Sequence, residues 1–174
     1  MKYLVKFFVI TFLIFGINNV QAEIKIAYVD MDKVLNESKA GSSIQKKLQK
    51  VHKENIKNFK SVEEKLKSKE KDILSKKNVM KKEEYDKKII ELRKEAAKYQ
   101  SNRRKKLDAL NKMRNDAKKN ILENLQPVLT EYSETNGISI IIDKRNIVLG
   151  KSELDVTKFI IEELNKKLPS LKLN

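Results

Sequence analysis

The side chains here with chemistry to offer are nearly all cations. Lys76, Lys77, Lys81 and Lys82 cluster around Val79 and Met80, and Arg103, Arg104, Lys105 and Lys106 form a second, denser run. Ammonium and guanidinium groups at this density attract anions, and arginine adds a planar two-pronged donor that suits carboxylate or phosphate. Such groups bind; they do not by themselves catalyse. Cysteine and tryptophan are absent, and the one histidine, His52, lies in Lys50-Val51-His52-Lys53-Glu54 on the polar flank of a helical pattern. No nucleophile, base and orienting group can be grouped, and no glycine-rich phosphate loop occurs. The residues therefore predict no enzyme, no metal site and no cofactor.

The elements that must carry these cations are long helices. No glycine occurs between Gly41 and Gly137, and Pro127 is the only proline in that interval. From Ser42 to Thr135 an apolar stripe runs through Ile44, Leu48, Val51, Phe59, Val62, Leu66 and Ile73, with Asn55 and Lys69 filling its gaps. A partner stripe runs through Tyr85, Ile89, Leu92, Ala96, Tyr99, Leu107, Leu110, Met113, Ala117, Ile121, Leu125, Val128 and Tyr132. Spacing near 3.6 specifies two nearly straight helices with little supercoiling. Ser75-Lys76-Lys77-Asn78 is the least apolar stretch and the predicted reversal, which puts the lysine cluster at the far tip. Each helix should hold about 35 to 50 residues, on the order of 50 to 75 Å. One seam is all such a hairpin buries, and Asn55, Lys69 and Arg103 fall on it, so the arm should be weakest toward its tip.

Short β-forming runs flank the arm. Ile24 to Val29 reads as a strand, followed by a helical turn from Met31 to Glu37 capped by Asp30 or Asp32, with Ser42 or Ser43 capping the arm. After Asn136-Gly137, a helix stop, Ile138 to Ile142 and Asn146 to Leu149 are expected as two strands of a hairpin turned by Asp143-Lys144-Arg145. Asp155 then caps a last helix, with Leu154 and Phe159 as a staple across the cap. The fold class is α+β, mostly α, with residues 23–41 and 136–174 as a body and residues 42–135 as its arm. Three short strands cannot bury a core or hide their edges alone. Ile24, Ile26, Tyr28, Ile138, Ile140, Ile142, Val148 and Phe159 are therefore expected to close the body against copies of itself.

The first 22 residues read as an export signal. Lys2 and Lys6 precede an apolar run from Phe7 to Ile17, and Val20-Gln21-Ala22 presents a cleavage site, leaving Glu23 first. The run is shorter than the roughly 20 residues a membrane span needs. The remainder keeps 37 Lys+Arg against 24 Asp+Glu, a net charge of +13. Without cysteine, an exported protein of this kind must hold together by packing or assembly.

Ile24-Lys25-Ile26-Ala27-Tyr28-Val29-Asp30-Met31, then Val34-Leu35-Asn36-Glu37-Ser38 and Ala40-Gly41, a basic helical hairpin, Ile138-Ser139-Ile140-Ile141-Ile142-Asp143 and Leu154-Asp155-Val156-Thr157 together resemble the Skp (OmpH-like) family of periplasmic chaperones. The likeness covers essentially the whole exported chain, and its two ends carry it. It implies a homotrimer whose strands and short helices form a trimerisation body, from which helical coiled-coil arms enclose a cavity. It further implies that unfolded outer-membrane β-barrel proteins are held there without ATP. Client contact would fall to the tip residues Lys76, Lys77, Val79, Met80, Lys81 and Lys82. Lipopolysaccharide or an anionic membrane surface would meet Arg103, Arg104, Lys105 and Lys106, a likeness of charge only. Competing readings are a basic coiled-coil envelope adaptor or spacer, and a nucleic-acid-binding protein suggested by the pI near 9.7. No recognition motif or aromatic stacking platform supports the latter, so nucleic acid is not an expected partner.

Overall fold

A computed structural model describes residues 24–171; the export signal expected over residues 1–22 lies outside them. The described chain runs β1 (Ile26–Val29), α1 (Met31–Glu37), α2 (Lys39–Ser75), α3 (Lys82–Asn136), β2 (Ile140–Asp143), two 3-10 turns (Lys144–Asn146 and Ser152–Leu154) and α4 (Thr157–Lys167). α2 and α3 pack antiparallel as the expected hairpin, and their 37 and 55 residues correspond to about 55 and 80 Å of helix.

Local chemistry explains most boundaries. Asp30 caps α1 by accepting the Lys33 amide at 3.0 Å. The arm starts earlier than expected: Ser38, not Ser42 or Ser43, caps α2 by accepting the Gly41 amide at 3.1 Å. Gly41 therefore lies inside the helix, and a Cβ there would run into the Leu35 carbonyl oxygen. Glycine is required because α1 turns into α2 with its last carbonyls pressed on the new helix. Where α3 returns to the body Gly137 adopts φ 62°, and the Ile138 amide reaches back 2.9 Å to the Ser133 carbonyl. This left-handed stop is the one expected from Asn136-Gly137.

The sheet differs from expectation. β2 pairs with β1 in parallel, Ile26 opposite Ile140 and Val29 opposite Asp143. Residues 146–149 form no strand. Asp143 accepts the Arg145 amide at 3.1 Å and its guanidinium at 2.6 Å, curling the chain into a 3-10 turn where a hairpin was expected. Val148 and Leu149 are left exposed. The chain then folds back over β1, where Tyr28 bridges Asp155 in parallel and accepts the Val156 amide at 3.0 Å. Gly150 passes close against the Tyr28 ring.

One face of this small sheet rests on α3 and α4. Ala27 and Val29 join Val34, Leu125, Ile160 and Leu164 in a core that also takes Ile121 and Val128 from α3. The returning arm helix thus supplies part of the body's core. Thr157 ties the pieces together: its hydroxyl accepts the Asp30 amide at 2.8 Å and donates to Asp155. α4 begins at Thr157 with Val156, not the expected Asp155, at its cap position and no side-chain cap bond; Asp155 instead accepts the Thr157 amide at 3.0 Å, and Phe159 packs on Tyr132, ring centres 4.6 Å apart.

An ion network closes the carboxyl end of the sheet. Lys144 lies 3.5 Å from Asp155 and 4.0 Å from Asp30, and Arg145 reaches Asp143 and Asp32. The Arg145 hydrogen bond, opposed by burial, holds the Asp143 carboxyl below its ordinary 3.8. For Asp155, burial is the largest influence and pushes upward, but hydrogen bonds from Thr157 together with the Lys144 ammonium outweigh it and lower the group.

Two outcomes follow from these contacts. Gly41→Ala should cost about 1–3 kcal/mol, since backbone must move to admit the methyl group, whereas Ser43→Ala should be near neutral; urea unfolding of both variants checks it. Carboxylates depressed in the folded state stabilise it fully above their unfolded value and cease to do so as pH falls through the folded one. The network's contribution should therefore persist at about pH 5 and above and be lost below about pH 4. Asp155→Asn should lower stability at neutral pH and flatten that acid dependence, as read by circular dichroism.

Candidate functional site

The tip lies where the sequence places it. α2 ends at Ser75, Lys76 to Met80 make a turn closed by Val79 and Met80 amides on the Lys76 carbonyl, and α3 starts at Lys82. Lys76 is paired with Asp72 at 2.6 Å. Lys77, Lys81 and Lys82 are exposed and have no ion-pair partner among the described residues. Val79 is 85% exposed, while Met80 is partly covered. Lys81 and Lys82 sit at the amino end of a long helix, whose dipole adds to their positive field. The tip is thus cationic with one apolar point, suited to weak contact with an anionic chain or surface.

The basic run in α3 does not act as a unit. Arg103 faces the seam, 3.4 Å from the Glu63 carboxylate and 5.6 Å from the centre of the Phe59 ring. Helical geometry then turns Arg104 to one flank and Lys105 and Lys106 to the other. Around Arg103 the seam is a polar cluster. Tyr99 is buried edge-on against Phe59 and donates its hydroxyl to Glu63. Burial, reinforced by the Glu63 carboxylate, raises the Tyr99 phenol above its ordinary 10.0. Asn55 is buried as well, and Lys69 reaches both carboxylate oxygens of Glu95 at 2.7 Å, leaving Ile73 as the last buried apolar seam residue on α2. His52 is exposed on a groove with Gln49 and Arg114.

The apolar residues expected to close the body divide in two. Tyr28 is buried by its own chain, under Gly150 and with the Lys144 ammonium 5.9 Å above its ring. Ile138 and Ile142 are partly covered. Ile24, Ile26, Ile140, Val148 and Phe159 are exposed, at 67, 42, 49, 105 and 43%, and Ile26 and Ile140 lie side by side in the sheet register. The ion network of Asp30, Asp32, Asp143, Lys144, Arg145 and Asp155 went unread in the sequence. In the sequence Asp143-Lys144-Arg145 reads as turn chemistry, and only the fold brings the other carboxylates to it. Among the described residues no group of histidine, aspartate or glutamate is arranged to hold a metal ion, and no helix is long and apolar enough to cross a membrane.

A two-stranded body carrying a long antiparallel helical hairpin defines an α+β, mostly α class of OmpH-like proteins. The family described as Outer membrane protein (OmpH-like) matches residues 25–164, and the chain belongs to it. Among solved structures, a candidate outer membrane chaperone (OmpH-like) from Caulobacter crescentus CB15 superposes with a TM-score of 0.78 at 12% identity, covering 87% of this chain and 89% of that one. At that identity the likeness is one of fold. No curated protein matches the chain.

The Tyr99 cluster is the strongest polar clamp along the arm, so Tyr99→Phe should cost about 1 kcal/mol and Tyr99→Ala about 3 kcal/mol or more of arm stability. Hydrogen exchange should register both losses in residues 55–110 and leave β1 and α4 protected as before.

Proposed function

We propose that this chain is an ATP-independent holding chaperone of the periplasm, exported by its first 22 residues, which keeps unfolded outer-membrane β-barrel proteins from aggregating before insertion. The observation that carries this reading is a long cationic hairpin, rooted through Ile121, Leu125 and Val128 in a body with exposed Ile26 and Ile140. An exposed apolar sheet face needs a partner, and copies of the same chain supply one; a homotrimer sets three arms around a common space. The family and the Caulobacter protein's description agree with a chaperone role. Barrel precursors alternate apolar and polar residues and pair edge to edge unless kept apart. Many weak contacts inside a basic enclosure hold such a chain without a deep pocket and with no energy source. Distant attraction of acidic clients falls to charge, with the tip lysines furthest out.

The test is made on residues 23–174. Light scattering should give a trimer's mass, and dilution of a urea-unfolded barrel protein into it should yield a soluble complex in place of aggregate. Reversing Lys76, Lys77, Lys81 and Lys82 to glutamate should slow capture by about tenfold at low salt, with the slowing fading as salt screens the charges, and should leave the assembly intact. A folded monomer that leaves aggregation unchanged would return the chain to the spacer reading.

A further inference from the structure

The two flanks of the hairpin are chemically different. At 100° per residue, Ile56 and Leu74 of α2 lie five full turns apart on one azimuth, about 27 Å from each other. The Glu63–Tyr99 and Lys69–Glu95 bonds set the register, which puts Leu107 level with Ile56 and Ile90 level with Leu74 on the same side of the hairpin. All four are exposed, between 40 and 53%. Arg93, Arg104 and Arg114 fall on that side too. They are exposed, and none has an ion pair or hydrogen-bonding side chain among the described residues. The arm's fourth arginine, Arg103, is the one held in the seam. The opposite flank presents Lys50, Lys65, Lys98 and Lys105 with Glu54 and Glu91 and no arginine, and its one exposed aliphatic residue is Val62, at the seam edge.

Three shallow grooves open along the arginine flank: one beside Lys118 and Leu122, one between Gln49 and Arg114, one between Gln100 and Arg104. The middle groove has no carboxylate in its lining, and its floor is Leu48 and Leu110.

We propose that the arginine flank is the surface on which the arm holds its client, and that the occupant is an extended, carboxylate-bearing stretch of unfolded polypeptide. The assignment rests on the holding-chaperone reading and names the face that serves it. Guanidinium groups fork onto carboxylates, amide side chains pair with peptide groups, and interleaved aliphatics take the apolar residues of the client. The arginines stand about 15 Å apart along the helix, which an extended chain spans in about five residues. A phosphate-rich lipid surface would be better met by the dense lysines of the tip and the opposite flank. The lysines serve attraction at a distance; the arginine flank serves retention.

The absence of cysteine makes the test direct. Single substitutions Ile56→Cys and Leu107→Cys on the arginine flank, and Lys65→Cys and Lys98→Cys opposite, each carry a photo-crosslinker in the mature protein presented with a urea-unfolded acidic barrel protein. Crosslinking is expected at least about threefold higher at positions 56 and 107. Replacing Arg93, Arg104 and Arg114 together by lysine keeps the charge and removes the fork, and should raise the client's dissociation rate by about threefold or more, the equivalent of one lost net hydrogen bond. Equal or reversed crosslinking with aggregation still suppressed overturns the flank assignment and leaves the chaperone reading standing. Failure of the unmodified protein to suppress aggregation overturns both. Protection of the position 56 and 107 thiols by phosphatidylglycerol vesicles, with none by client, would assign the flank to lipid and overturn the proposal.

Discussion

The parallel pairing of Ile26–Val29 with Ile140–Asp143 is the constraint on which the rest depends. It fixes both roots of the hairpin at once. On one side the chain leaves β1 through the Asp30 cap, α1 and Ser38; on the other it returns through Gly137 and the Ser139 amide, which bonds the Lys25 carbonyl at 2.8 Å. Closing a long excursion costs little more entropy than closing a short one, because the cost grows only with the logarithm of length. A helical hairpin reduces it further by making most of its contacts locally. The sheet can therefore be very small and still set the direction of a long arm, provided its two strands are backed by a shared core. Leu125 and Val128 of α3, packed with Ile160 and Leu164 of α4, give that backing.

Stability should fall along the arm from that core outward. Near the body, Ile44 and Leu48 meet Leu110 and Ala117 in a dry seam. Further out the seam turns polar at Asn55, Arg103, Glu63 and Tyr99, and then becomes the exposed pair Lys69–Glu95, with side chains 55 and 47% exposed. Exposed pairs contribute little, of order 0–1 kcal/mol, so the distal arm is held by register-setting contacts more than by burial. The same residues that weaken the seam specify it: a one-turn slip would bury Lys69 or strand the Tyr99 hydroxyl.

Much of this was legible in the sequence wherever the cause was local. The 3.6 periodicity gave both arm helices, Ser75 to Asn78 marked the reversal, Asp30 capped its helix and Gly137 stopped one. Errors came where a distant partner decided. Gly41 reads as a restart of the chain, but it is glycine because the Leu35 carbonyl presses on it from α1. Asn146 to Leu149 have strand composition, yet Asp143 folds Arg145 back on itself into a 3-10 turn, and residues 146–149 pair with neither strand of the two-stranded sheet. Arg103 already reads as a seam position from its spacing, and the structure keeps it there, beside Glu63 and Phe59, with its neighbours on opposite flanks. The arginine flank was readable in principle, from residues 93, 104 and 114 recurring at nearly three helical turns.

Charge on the arms has a consequence for any assembly of copies. Arms of like sign repel, and at physiological ionic strength that repulsion reaches only about 8 Å, so it opposes close approach without splaying the arms widely. Nothing on the lysine flanks offers a neighbouring arm a compensating apolar contact. In the proposed assembly the enclosed space would be kept open by charge, and the missing counter-charge would come from what enters it. An acidic unfolded chain lying on the arginine flank would cancel part of the repulsion and allow the arms to draw in around it. Arms soft at the seam would then close further on a client with more carboxylates, which ties the weakness of the Asn55-to-Lys69 stretch to the range of chains such a cavity can hold.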